Sequence, residues 1–270
     1  MLSVNTNTGA MVALQYLNQT QDQLADTQNA ISTGLKVANA KDDGATYAIA
    51  QNMRSQVAGY GAVTDSLNRG MSTIDVALSA GQSISDLLVQ MKSKALAASD
   101  KSLDTASRSA MDKDFIALRD QITTIVNNAT FNGVNMVDGS TKKISALASA
   151  DGANVITVST RTLTLSSLGV SITIGTQTLA YNALASMDAA QKSVTASLAY
   201  LAAGAKKYSI QLGFTEKLSD TLTTGIGNLV DADMAKESAL LTSLQTKQQL
   251  GVQALSIANQ SPQIILSLFK

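Results

Sequence analysis

Apolar residues recur every seven positions at both ends of the chain, and this repeat limits the fold more than any other feature. Near the start, Leu17, Leu24 and Ile31 repeat, with Leu14, Gln21 and Gln28 interleaved at three and four. Near the finish, Met234, Leu241, Gln248 and Leu255 repeat, with Glu237, Leu244, Gly251 and Ala258 between them. A helix presents the same face about every seven residues, so each stripe predicts one helix that needs a partner, over 4–33 and about 231–259. Antiparallel pairing of the two ends gives each stripe that partner; a closed bundle within one chain is the alternative. Thirty helical residues span about 45 Å, so the expectation is a mainly α rod, a long antiparallel helical bundle or coiled coil.

Between the ends, helical spacing runs from about Ala45 to Ala98 through Ile74, Leu78, Gly81, Ile84, Leu88, Met91 and Ala95. Asp42 or Asp43 can cap its start, because a carboxylate accepts the unpaired N–H groups there. Gly59, Gly61 and Gly70 each cost roughly 1 kcal/mol relative to Ala unless they permit a bend or a close helix approach. Asp100 or Asp104 starts a further helix to about Asn128, with Met111, Phe115, Leu118, Ile122, Ile125 and Val126 on one face. Gly133 and Gly139 among Asn and Asp signal turns. Residues 143–181 alternate Val, Ile, Leu and Thr with small polar residues, the period of strands. A small β insert is therefore expected over about 131–185. The helical period returns from Met187 to about Thr224, and Gly225 and Gly227 interrupt it.

Composition removes several kinds of chemistry. The chain has no His, Cys or Trp, and its 20 basic and 20 acidic residues cancel. Without Cys there is no disulfide and no thiolate metal site; without His the commonest general base and metal ligand are missing. No nucleophile–base set can be assembled, so neither an enzyme nor a cofactor site is expected. Zero net charge gives no pull on nucleic acid. No run of 18 apolar residues predicts a membrane span. The opening "MLSVNTNTGA" lacks the features of a secretory signal peptide, which leaves a cytosolic chain or one exported without a cleaved signal. Asp42 and Asp43 are adjacent and lack the spacing of a calcium loop. With 4% aromatic against 45% hydrophobic residues and a single proline, the composition suits closely packed long helices.

Three blocks together carry a family resemblance. "STGLKVANAKDDGA" (Ser32–Ala45) resembles the signature S-G-x-R-I-x-x-A-x-D-D-x-A, with Lys36 where that pattern usually has Arg. "FNGVNMVDG" (Phe131–Gly139) is similar to the same family's F-N-G turn, and "LGVQALSIANQSPQIILSLFK" resembles its closing block. The chain so resembles a bacterial flagellin along nearly its whole length, and the wording of Leu87–Asp100 looks most like the short alphaproteobacterial members.

The resemblance implies a structural subunit that polymerises with itself into the filament used for swimming. Residues 1–42 and 232–270 would form an inner coiled-coil layer, and 43–231 an outer helical bundle with the small β region and no large projecting domain. Self-assembly would fall on Leu14, Leu17, Leu24, Ile31, Leu241, Leu244 and Leu255, and on the apolar tail Ile264, Ile265, Leu266, Leu268 and Phe269 that follows Pro262. The implied partners are further copies of the chain, hook-junction and cap proteins at the filament ends, a cytoplasmic export chaperone and a type III export apparatus, with an extracellular destination. Many flagellins engage toll-like receptor 5 through an Arg-x-x-Glu-Leu patch. Here Gln90, Ser93 and Lys94 occupy those positions, which implies weak receptor signalling. Ser and Thr in the β segment are either glycosylated or ordinary strand residues. A hook–filament junction protein, or a secreted coiled-coil translocator or effector, is the competing reading.

Overall fold

The computed structural model describes residues 6–267, with 261–267 described by backbone alone. Its long helices are α1 (Thr8–Thr33), α2 (Gly44–Ala98), α3 (Thr105–Asn128), α5 (Gln177–Val230) and α6 (Met234–Ser267). Hairpins β1 (Thr130–Phe131)–β2 (Val134–Asn135) and β3 (Lys143–Leu147)–β4 (Val155–Ser159), then the short α4 (Leu165–Leu168), lie between α3 and α5. Packing divides the chain into two units. One runs to Ser55 and resumes at Thr221; the other is Gln56–Asp220.

The unit Gln56–Asp220 is a helical bundle with a hairpin laid on it. Along α2 the positions Val63, Leu67, Ile74, Ala77, Ile84, Leu88, Met91, Ala95 and Ala98 are buried, at helical spacing along one face. Phe115 and Ile122 of α3 and Met187, Val194, Leu201 and Tyr208 of α5 complete the core. Gly59 and Gly70 do not interrupt α2. A Cβ at Gly59 would sit 2.8 Å from the Cβ of Ala150, and one at Gly70 would sit 2.5 Å from the Tyr208 ring. These glycines let other chain segments approach the helix closely. Tyr208 passes under the hairpin, and its hydroxyl donates to the Ile156 carbonyl at 3.2 Å. Ile144 pairs with Val158 and Ala146 with Ile156, so one face of the hairpin is apolar and packs inward.

Strands stop at Ser159, short of the expected 185, and α5 begins at Gln177 instead of near Met187. The alternating pattern beyond 159 has a different cause. Leu163, Leu168, Val170 and Ile174 are buried in the helical core from a segment that pairs with no strand. Asp112 of α3 accepts the Ile174 N–H at 2.6 Å, where a ladder partner would otherwise stand. Gly225 and Gly227 likewise leave α5 intact to Val230; a Cβ at Gly225 would sit 2.9 Å from the Met53 methyl.

Helix ends follow local capping. Asp43 accepts the N–H groups of Ala45 and Thr46, while Asp42 accepts those of Ala38 and Asn39 and holds the preceding turn. The two acids thus face their own backbone donors. Asp104, not Asp100, caps α3. Arg108 closes the other side of that turn, donating to the carbonyls of Ala98, Asp100 and Leu103.

Candidate self-assembly site

The unit made of the two chain ends is the candidate site, and the signature block Ser32–Ala45 builds its joint. Gly34 ends α1 in the left-handed conformation, φ 72°, and donates its N–H to the Ala30 carbonyl. Leu35 then bridges antiparallel to Asp231; Lys36 donates to the Val230 carbonyl at 2.8 Å, and Ala232 to that of Gly34 at 2.9 Å. Val37, Ala50 and Val230 are buried together, with Leu35, Tyr47, Ile226 and Leu229 against them. The motif therefore ties the exit of α1 to the entry of α6.

From this joint α1 and α6 pack against each other. On α6 the covered positions are Glu237, Leu241, Leu244, Gln248, Gly251, Leu255 and Ala258, the stripe read from the sequence, whereas Met234 is exposed. On α1 the covered positions are Ala10, Ala13, Leu17, Thr20, Leu24, Thr27, Ala30 and Ile31. The interleaved set is Ala13, Thr20 and Thr27 in place of Leu14, Gln21 and Gln28, which are exposed. Small residues win because the helices approach closely: Leu17 lies over Gly251, where a Cβ would be 3.3 Å from its Cδ1.

The seam is narrow. Leu17, Thr27 and Leu244 are buried, while Leu24, Ile31, Leu241 and Leu255 are half-buried. Outside it, α1 exposes Met11, Val12, Leu14 and Tyr16, and α6 exposes Leu240, Leu250, Val252 and Ile257. Ile257 is 70% exposed and Tyr16 65%. Two helices have too little surface to cover these side chains. The expected list contained only Leu14 of this set. The others could have been found as apolar residues that fall off the seven-residue stripe. Ile264, Ile265 and Leu266 lie in the stretch described by backbone alone, and Leu268 and Phe269 lie outside the described residues.

In the other unit, Gln90, Ser93 and Lys94 come together on α2 beside Asp114, Leu118 and Gln121 of α3, lining one shallow groove. Lys94 pairs with Asp114 at 2.6 Å. That carboxylate answers the Lys94 charge from within the chain. Among the described residues, no group of three or more acidic residues is placed to hold a metal, and no helix is long and apolar enough to cross a membrane.

Comparison with known proteins agrees along the chain. A family model described as the bacterial flagellin N-terminal helical region matches residues 4–142, and one described as the C-terminal helical region matches residues 184–269. Flagellin FljM of Caulobacter vibrioides is 54% identical over 99% of this chain and 98% of its own. A flagellin of Brucella melitensis is 36% identical, with 100% of each chain covered. A solved structure described as a putative flagellar hook-associated protein from Vibrio parahaemolyticus superposes with a TM-score of 0.60 at 13% identity, over 70% of this chain and 100% of that one. At that identity it speaks for the fold alone. With both terminal regions matched and the identity sustained from end to end, the chain belongs to the bacterial flagellin family, the structural subunits of the flagellar filament.

Proposed function

We propose that this flagellin polymerises through its paired terminal helices. The observation that carries the proposal is the apolar surface left on α1 and α6 outside their shared seam. Met11, Val12, Leu14, Tyr16, Leu250, Val252 and Ile257 stay exposed on one chain. Burying a large aliphatic or aromatic side chain contributes roughly 1.5–3 kcal/mol, and copies arranged in a non-closing helical contact bury such a surface repeatedly. Residues 1–42 and 232–270 act as the inner layer of the filament and 43–231 as the outer bundle. Leu17, Leu24, Ile31, Leu241, Leu244 and Leu255 hold the two arms together; Leu14 and the tail Ile264, Ile265, Leu266, Leu268 and Phe269 meet neighbouring subunits.

The subunit works outside the cell as a structural polymer and not as an enzyme. It leaves through a type III export apparatus, in the care of a cytoplasmic chaperone that covers the assembly surface. Hook-junction and cap proteins bound the filament. The groove at Gln90, Ser93 and Lys94 is a degenerate receptor patch, lacking the Arg and the apolar anchor. The test is electron microscopy of cells in which this chain is the sole flagellin. Long filaments and swimming are expected; bare hooks from cells that export the chain normally would overturn the reading.

A further inference from the structure

Pro262 lies within the backbone span of α6, which continues to Ser267 instead of ending near Asn259. A proline inside a helix has no N–H, so the carbonyl four residues earlier loses its usual partner. That carbonyl belongs to Ala258, on the seam of the terminal pair. It is not left unpaired: the side-chain amide of Asn7 donates to it from Nδ2 at 2.6 Å. The same side chain caps α1, its Oδ1 accepting the Ala10 N–H at 3.0 Å. Both ends of one amide are therefore used, and its orientation is fixed. Rotating it by half a turn would set oxygen against oxygen and N–H against N–H.

We propose that Asn7 is a positioning residue for assembly, matched to Pro262. It fixes the register of the first turn of α1 against α6 where the helix continues past Pro262. The inference rests on the terminal pair being the assembly surface. The seam itself specifies register weakly at this end, where Gly251 and Ala258 offer little shape to grip. One directional hydrogen bond to a carbonyl that the helix cannot satisfy supplies the missing specificity. A slipped register would leave that carbonyl unpaired.

The test is a double-mutant cycle of Asn7→Asp and Pro262→Ala in the full-length chain. Asp is as good an N-cap as Asn, so Asn7→Asp keeps the cap and replaces only the donor with a second acceptor. Pro262→Ala restores an N–H to the Ala258 carbonyl. Hydrogen exchange of backbone amides in the last turns of α6 is read on the monomer. Asn7→Asp is expected to speed exchange by about fivefold with Pro262 present, and by less than about twofold in the Pro262→Ala background, since a typical hydrogen bond is worth about a factor of five. Asn7→Ser, which caps but cannot reach, is expected to follow the same pattern. Equal effects in both backgrounds, or none in either, would overturn the proposal. Polymer yield from the same proteins reads the assembly proposal separately, because exchange in the monomer does not depend on filament formation.

Discussion

Replacing Gly70 by Ala adds one methyl group to the inner face of α2, and its effect can be worked out against Gly61→Ala on the same helix. Each change gains about 1 kcal/mol of intrinsic helix propensity. At Gly61 the added carbon meets nothing within 4 Å, so the gain stands. At Gly70 it would sit 2.5 Å from Cε2 and 3.1 Å from Cδ2 of Tyr208. Carbon atoms pack at about 3.5–4.0 Å, so the ring must retreat by roughly 1 Å. It has nowhere to go: Tyr208 is fully buried, and its hydroxyl is held at the Ile156 carbonyl. Overpacking of this kind costs about 1–3 kcal/mol. The propensity gain cancels between the two variants, so their difference measures the clash alone. At about 2–4 °C per kcal/mol for a chain of this size, Gly61→Ala should melt roughly 2–12 °C above Gly70→Ala. Thermal melts followed by circular dichroism decide it. A Gly70→Ala protein that melts level with Gly61→Ala, or above it, would refute the account of α2 as a closely approached helix.

Other outcomes follow from the same geometry. Arg108→Ala should destabilise the Gln56–Asp220 unit by about 1–3 kcal/mol, because the carbonyls of Ala98, Asp100 and Leu103 lose their donor; Arg108→Lys should recover little, and denaturant melts read both. The Thr46 hydroxyl and N–H hold the Asp43 carboxyl below its usual range, and Ser107 does the same for Asp104. A folded pKa below the unfolded value means stability present above about pH 3.9 and lost as pH falls through the lower folded value. The unfolding free energy should therefore fall below about pH 4, and Asp104→Asn, which keeps a capping side chain, should flatten that limb; an unchanged acid slope would count against it. Purified filaments should signal weakly or not at all in toll-like receptor 5 reporter cells, since Gln90, Ser93 and an ion-paired Lys94 lack a free guanidinium and an apolar anchor; nanomolar potency would reject that reading.

Much of the fold was legible because it rests on short-range rules. The α6 stripe from Glu237 to Ala258, the cap at Asp43 or Asp104 and the turn at Gly133 each follow from spacing or from the needs of one backbone group. What stayed hidden depends on a partner. Leu14 and Ala13 lie equally near the Leu17 stripe, and only the packing of α6 decides that Ala13 is the one covered. Gly225 reads as an interruption, and Gly70 reads equally as a bend or a close approach, until the side chains of Met53 and Tyr208 occupy the space above them. Alternation through Val170, Ile172 and Ile174 reads as strand, because an extended segment buried on one side has the same period with or without a ladder. Pro262 reads as a stop, since the donor that replaces its missing N–H comes from Asn7, at the far end of the chain. For the candidate site, the stripe identified the seam between the arms but not the apolar residues beside it. A seven-residue period selects the residues that face the nearest helix, and Tyr16, Leu250 and Ile257 face away from it.

The chain ends are proposed to serve contacts between subunits more than the fold of one subunit. Deleting Ile264–Lys270 tests this claim most directly. The deletion removes the apolar tail and leaves the joint at Leu35–Asp231, the α1–α6 seam through Ala258 and the whole Gln56–Asp220 core in place. The truncated chain is expected to keep the helical circular dichroism of the full chain and to be exported. As sole flagellin it should give short, fragile or absent filaments by electron microscopy. Normal filaments from the truncated chain would contradict the claim, and so would loss of the subunit's helical fold, because the tail would then belong to its own core.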